Sequence, residues 1–207
     1  MNAIEFYSKF VGNTKENFSI RGLKGFAELE GKTYLEVYRN HEPAFTELVN
    51  KNIIHHIIED GTGFVTQHEY FRIDSIGYQR RYLEIPEESA KKVGFNRHFW
   101  DLKVAVEHEN NKQDWMDEVV KLVHIRCPLK VVIGYNYCDQ REAPEWNKLA
   151  FIAEWMQRVS AFDKNANEEF LIIIGNGAPK DKTHSTYERF DYRGYLYNAA
   201  EGKFERI

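Results

Sequence analysis

The sequence predicts an α/β fold: a central mixed β-sheet flanked by helices and closed by a C-terminal β-hairpin. Two observations carry that prediction. Asp101–Asn111, polar only toward its end, and the apolar runs Lys130–Asn136 and Phe170–Ile174 read as buried strands, and the segments between them repeat apolar residues at helical spacing. A strand, a crossover helix and a second strand make parallel neighbours in one sheet. Near the C-terminus, Tyr187–Tyr197 and Lys203–Ile207 flank the turn-forming run Asn198–Gly202, as two antiparallel strands would.

Residues 1–40 give the weakest pattern. Ile4–Val11 fits a short amphipathic helix stopped by Gly12-Asn13. The glycines at 22, 25 and 31 favour turns, and Gly31-Lys32 is placed to join two short strands. From Asn40 the pattern sharpens. Asn40 is positioned as an N-cap, Pro43 falls in the first turn, and Phe45, Val49, Ile53 and Ile57 form one stripe ending near Asp60-Gly61. Phe64–Gln79 is extended and too long for one ordinary strand, so a bend is expected near Gln67–Glu69. Ile85–Gly94 reads as an inserted loop or short helix. Past the strand that begins at Asp101, Asp114 caps a helix with Trp115, Val119, Leu122 and Val123 inward and Asp117, Glu118 and Lys121 toward water. A second helix, Glu145–Phe162, turns Leu149, Ile152, Ala153 and Met156 inward.

At 207 residues without a Pro/Gly/Ser-rich linker, the chain is read as one domain, 1–207, with its core at about 40–175. Hydrophobic residues at 43% and aromatics at 14% suffice for a large core. No apolar run reaches the roughly 20 residues of a membrane span, and the N-terminus lacks a basic-then-apolar leader. A cytoplasmic protein that makes no membrane contact is therefore expected. Cys127 and Cys138 match no zinc spacing and are read as reduced thiols. A net charge of −4 gives no global attraction to nucleic acid, so any such surface is a local patch. No phosphate-cradling glycine loop, dinucleotide fingerprint or Ser/Cys elbow is present, and no organic cofactor is expected.

The chemistry concentrates in Val104-Ala-Val-Glu-His-Glu109. Val104 and Val106 share one strand face, while Ala105, Glu107 and Glu109 share the other, which sets two carboxylates about 7 Å apart along the strand. Like charges so placed require a cation, a shared proton or open solvent. A water-facing strand end satisfies the same pattern. Asp74 stands out as an acid between Ile73 and Ile76 in an extended run, where Asp is otherwise depleted. His55 and His56 are adjacent in a helix and so face about 100° apart, which prevents joint chelation.

Arg72-Ile-Asp74 and Glu107-His108-Glu109, each beside the expected crossover helix, resemble the restriction-endonuclease-like superfamily with its PD-(D/E)xK motif, in an E-x-E form. The similarity spans roughly residues 40–135. It departs from the commonest motif in lacking a proline before Asp74 and in having Glu109 where Lys is usual. The resemblance implies an endonuclease-like core and Mg²⁺- or Mn²⁺-dependent hydrolysis of DNA phosphodiesters, of restriction or phage-defence type. It implies Asp74 and Glu107 as metal ligands and Glu109 at a second metal or orienting the attacking water. The His108 carbonyl becomes a further ligand, Glu47 on the first helix an additional one, and Lys112 a substitute for the missing lysine. Arg80, Arg81, Lys91, Lys92 and Arg97 become the DNA contacts, and cutting both strands implies a homodimer. The alternative is a catalytically inactive binding or scaffold protein that keeps the nuclease fold.

Overall fold

The computed structural model describes residues 1–15, 27–40, 42–80, 86–94, 100–110, 114–137, 142–159, 162, 167–177 and 190–207. Strands whose side chains are apolar on both faces need cover on both sides, and the chain supplies it around one seven-stranded sheet in the order β1 to β7. The strands are Val65–Tyr70 (β1), Ile73–Arg80 (β2), Trp100–His108 (β3), Leu129–Tyr137 (β4), Glu169–Gly177 (β5), Arg193–Asn198 (β6) and Lys203–Arg206 (β7). β1, β2 and β3 form an antiparallel meander; β3, β4 and β5 run parallel; β5, β6 and β7 are antiparallel again. The sheet is therefore mixed, and the C-terminal hairpin is β6–β7.

One face is covered by the N-terminal helices: Ala3–Asn13 (α1), Tyr34–Asn40 (α2), and a helical run of Glu42–Leu48 (α3), a wider π turn Val49–Ile54, and His55–Glu59 (α4). The stripe Phe45, Val49, Ile53, Ile57 is buried here against Val104, Val106, Val131 and Ile133. Asn40 ends α2 instead of capping the helix that follows, and among the described residues no strand flanks Gly31, since Ala27–Leu29 is a 3-10 turn and Tyr34–Asn40 is helical; residues 16–26 lie outside the described residues. Tyr38 explains the difference. Its ring packs edge-on to Phe45 at 5.0 Å and stacks with Tyr135 at 5.7 Å, and that burial outweighs the local turn signals. α4 reaches β2 at Gly77, where a Cβ would lie 2.4 Å from Ile58 Cγ2.

The other face is covered by Trp115–Val123 (α6) and Glu142–Met156 (α7), whose Trp115, Val119, Leu122, Leu149, Ile152 and Met156 pack on Ala105, Val132 and Ile172. α6 enters tightly over Gly134, where a Cβ would lie 2.4 Å from the Trp115 Cβ. α7 begins at Glu142, earlier than expected, and its last residue is Met156. Cys127 is buried as a free thiol; Cys138 lies outside the described residues. No helix among the described residues is long and apolar enough to cross a membrane.

The β1–β2 hairpin turns at Phe71-Arg72, four residues beyond the expected start of the bend, with Tyr70 facing Ile73. Both turn residues are left-handed, at φ 48° and 65°, and Glu69 precedes them at φ 52°. Two-residue hairpins favour this twist but normally use Asn-Gly for it, because non-glycine residues there cost about 1–3 kcal/mol each. The turn thus carries no glycine or asparagine signal in the sequence. It also aims Asp74 toward β3.

Candidate active site

Antiparallel register brings the two principal acids together. Ser75 pairs with Val106, so one step further Asp74 stands opposite Glu107, and residues opposite one another share a face with Cβ atoms about 5 Å apart. Asp74 Oδ2 accepts a hydrogen bond from the His108 backbone N–H at 2.8 Å. Burial pushes the Asp74 carboxyl above its usual range, and Glu118 adds to that, against the His108 N–H and the Lys121 charge.

Glu107 is 1% exposed, on the Ala105 face beneath α6. Lys121 Nζ, from α6, lies 2.9 Å from Glu107 Oε1 and 2.5 Å from Glu118 Oε2, and it donates to the Arg72 carbonyl at 3.2 Å. The ammonium is thus the charge partner of both carboxylates, and one cation is shared between Glu107 Oε1 and Glu118 Oε2. Burial lifts the Glu107 carboxyl to about 8, with Lys121 pulling it down and the charges of Asp74 and Glu118 pushing it further up. For Lys121, burial works downward, but Glu118 and Glu107 outweigh it and hold the ammonium above its ordinary value. Three acids and one ammonium thus converge where the sequence pattern singled out two of the acids. Glu118 and Lys121 were read as facing water, and both instead border Glu107. Helical spacing sets Lys121 away from the apolar stripe of α6, and only the length of its stem carries the charge back to the sheet.

The remaining expected residues divide in three ways. Glu109 lies one residue beyond β3, half-buried, with its backbone N–H donating to the Ile133 carbonyl at 2.9 Å. The His108 ring turns to the opposite face. There it donates Nδ1–H to Asn50 Oδ1 and accepts at Nε2 from the Tyr135 hydroxyl, both at 3.1 Å, and burial drives it down to about 3, a neutral ring at any ordinary pH. Any ligand role for His108 is accordingly limited to its carbonyl. Asn50 sits in the π turn, which widens the helix and directs this amide inward. Glu47, on α3, pairs with Lys51 of the π turn, in the helical run that covers the His108 face, and is not brought to Asp74 and Glu107. Lys91 and Lys92 lie exposed on the short helix Glu87–Lys92 (α5), with Lys91 2.6 Å from Glu87. Arg81, Arg97, Lys112 and the side chain of Arg80 lie outside the described residues.

Asp74 and Glu107 offer hard carboxylate oxygens, and three crowded acids that share a single ammonium carry an excess of negative charge that a divalent cation would relieve. Among the described residues no three His, Cys, Asp or Glu side chains already form a metal-ligand group. Magnesium needs no such group, because it is commonly held by one or two carboxylates while keeping waters and substrate phosphate oxygens. The residues fit such an ion in donor chemistry, with the Lys121 ammonium yielding its place beside Glu107.

These features define an α/β chain with acids paired across neighbouring strands under a crossover helix. No protein-family model matches the chain, and no curated protein or solved structure matches it.

Proposed function

We propose that the chain is a magnesium- or manganese-dependent DNA endonuclease of the restriction-endonuclease-like superfamily, E-x-E form, acting in the cytoplasm in restriction or phage defence. One observation carries the reading: Asp74 and Glu107 face each other across β2 and β3, beside the crossover helix, with Glu107 buried and crowded by negative charge. That is the placement the resemblance implies for a first acid and the acid of the neighbouring strand.

Asp74 and Glu107 would hold the cation, which when bound supplies a polarised phosphoryl oxygen and a more acidic water. Asp74 is oriented for this by the His108 N–H, whose position is fixed in turn by the Asn50–His108–Tyr135 hydrogen bonds behind the sheet. Glu107, whose carboxyl burial lifts to about 8, would have to give up that proton to hold the cation. Lys121 balances the acids while no cation is bound and would give way to one at Glu107. Glu109, just past β3, is assigned to orienting the attacking water or to a second ion. Lys91 and Lys92 serve as phosphate contacts on DNA, and cutting both strands of a duplex calls for a twofold homodimer.

A second reading has its own support. Lys121 already neutralises the acids in this arrangement, as a non-catalytic scaffold that kept the fold would need. Supercoiled plasmid and single-stranded RNA incubated in parallel with Mg²⁺, with EDTA, and with Asp74→Asn separate the two. The nuclease reading expects Mg²⁺-dependent cleavage of DNA, lost in EDTA and reduced more than about 100-fold by Asp74→Asn, since changes merely adjacent to a metal shell already cost 10–100-fold. A scaffold shows no cleavage in the wild type. Cutting of RNA alone would correct the substrate.

A further inference from the structure

We propose that the turn between β1 and β2 is a substrate-reading tip, in which Phe71 stacks on a nucleobase of single-stranded or locally opened nucleic acid and Arg72 meets the adjoining phosphate. The proposal rests on the nuclease reading and adds to it a contact that selects unpaired bases.

Phe71 is 74% exposed, although a benzyl side chain gains from burial. It is not adrift, because its ring sits edge-on to Tyr70 at 4.5 Å and 88°, and Tyr70, half-buried, packs against the core cluster. The backbone beneath it is strained, with Glu69, Phe71 and Arg72 all left-handed. Asn-Gly would form the same turn at lower cost, and all that it would forfeit is the aromatic face and the guanidinium. Strain kept at such a cost, with its side chains turned to solvent, marks a contact element.

The tip is also fixed to the candidate active site. Lys121 donates to the Arg72 carbonyl from the same ammonium that touches Glu107, and His68 Nδ1 donates to the Asp74 carbonyl at 2.7 Å. Phe71 is three residues from Asp74, at most about 10 Å along the chain. With bases rising about 3.4 Å each along a strand, a phosphate held at Asp74 and Glu107 brings a base within about three nucleotides onto Phe71. An aromatic face beside an arginine is the usual pairing for an unstacked base and its phosphate.

The test uses a fluorescein-labelled single-stranded oligonucleotide and a fully paired duplex of the same sequence. Affinity is read in the Glu107→Gln background to keep the substrate intact, and cleavage with Mg²⁺ is read in the wild type. Phe71→Ala is expected to weaken single-strand binding about 5- to 150-fold, the range of one lost stacking contact, and to affect the duplex far less. Phe71→Trp should bind as the parent does, and its indole emission should be quenched on binding. A Phe71→Asn, Arg72→Gly double variant, which relaxes the turn, should fold at least as stably and still bind poorly; this guards against a misfolded alanine variant. Unchanged affinity in Phe71→Ala or in the double variant overturns the proposal, as does equal loss on duplex or an unquenched indole. If the wild type cleaves and only these variants behave as the parent, the tip alone fails. If the wild type neither cleaves nor binds nucleic acid, the nuclease reading falls with it.

Discussion

Glu107→Gln is expected to lower Mg²⁺-dependent cleavage by at least about 10³-fold while leaving the protein folded and, above about pH 8, more stable than its parent. Glutamine keeps the size of Glu107 but cannot carry the charge that a cation needs. The stability arm follows from proton linkage. The Glu107 carboxyl titrates near 8 in the fold against an ordinary 4.5, because burial and then the charges of Asp74 and Glu118 oppose its ionisation more than Lys121 favours it. Between those values the folded state binds more protons than the unfolded one, so parental stability falls as pH rises from about 4.5 to about 8. Asp74, raised in the same direction, adds to the fall. Glutamine removes the Glu107 share, and the variant's melting temperature should decline less over that interval. A cation must displace the same proton, so parental affinity for Mg²⁺ should climb with pH up to about 8. Thermal melts from about pH 5 to pH 9 beside a cleavage assay read both arms. Equal pH slopes for parent and variant would mean that the carboxylate is not strained by its surroundings, and retained cleavage would remove it from the chemistry.

The second large effect is expected far from that site. Arg193 on β6 grips Glu145 on α7, with Nε to Oε1 at 2.9 Å and Nη2 to Oε2 at 2.7 Å, and both side chains are buried. Asn136 donates to Glu145 Oε2 at 2.8 Å, Tyr195 donates to Oε1, and Arg193 also donates to Asn176 Oδ1 and the Asp191 carbonyl. Every strong group in this cluster has a partner, so it ties α7 to the ends of β4, β5 and β6. Arg193→Ala leaves a buried carboxylate without its cation and should cost about 3–5 kcal/mol, or at least about 6 °C in melting temperature for a chain of this size. Replacing both charges by Met should recover most of that loss, since the pair itself contributes little beyond what matched apolar groups would. Burial pushes Glu145 upward, but Arg193, Tyr195 and Asn136 together hold it below its ordinary value. Its contribution is therefore present above about pH 4.5 and disappears as pH falls through the lower folded value. Arg193→Ala should flatten that acid-side loss. Chemical denaturation at neutral and acid pH measures both, and a cost under about 1 kcal/mol would show that the cluster is surface-like in its energetics.

The central layer of the fold was legible because its signals are redundant. β3, α6, β4, α7 and β5 each carry a buried run or stripe, and helices and parallel strands of that kind can be arranged in few ways. The hairpin bearing Asp74 was legible as an extended pair but not in its turn, because Phe71-Arg72 contradicts turn chemistry. The N-terminal third was misread around Asn40, where aromatic packing of Tyr38 on Phe45 and Tyr135 overrode capping preferences. In the site, alternation placed Glu107 on the correct face but treated Glu109 as its strand partner, whereas β3 ends at His108. Lys121 was invisible for a different reason. A long side chain can carry its charge most of a helix radius from where its Cα points, and no periodicity records that.

Crystals grown with Mn²⁺ and measured at its absorption edge test the central claim most directly. The account predicts one anomalous peak in contact with the carboxylates of Asp74 and Glu107, with the Lys121 ammonium moved off Glu107 to Glu118 or solvent. Occupancy of Mn²⁺ elsewhere, with Lys121 still paired to Glu107 and nothing bound between β2 and β3, would contradict it.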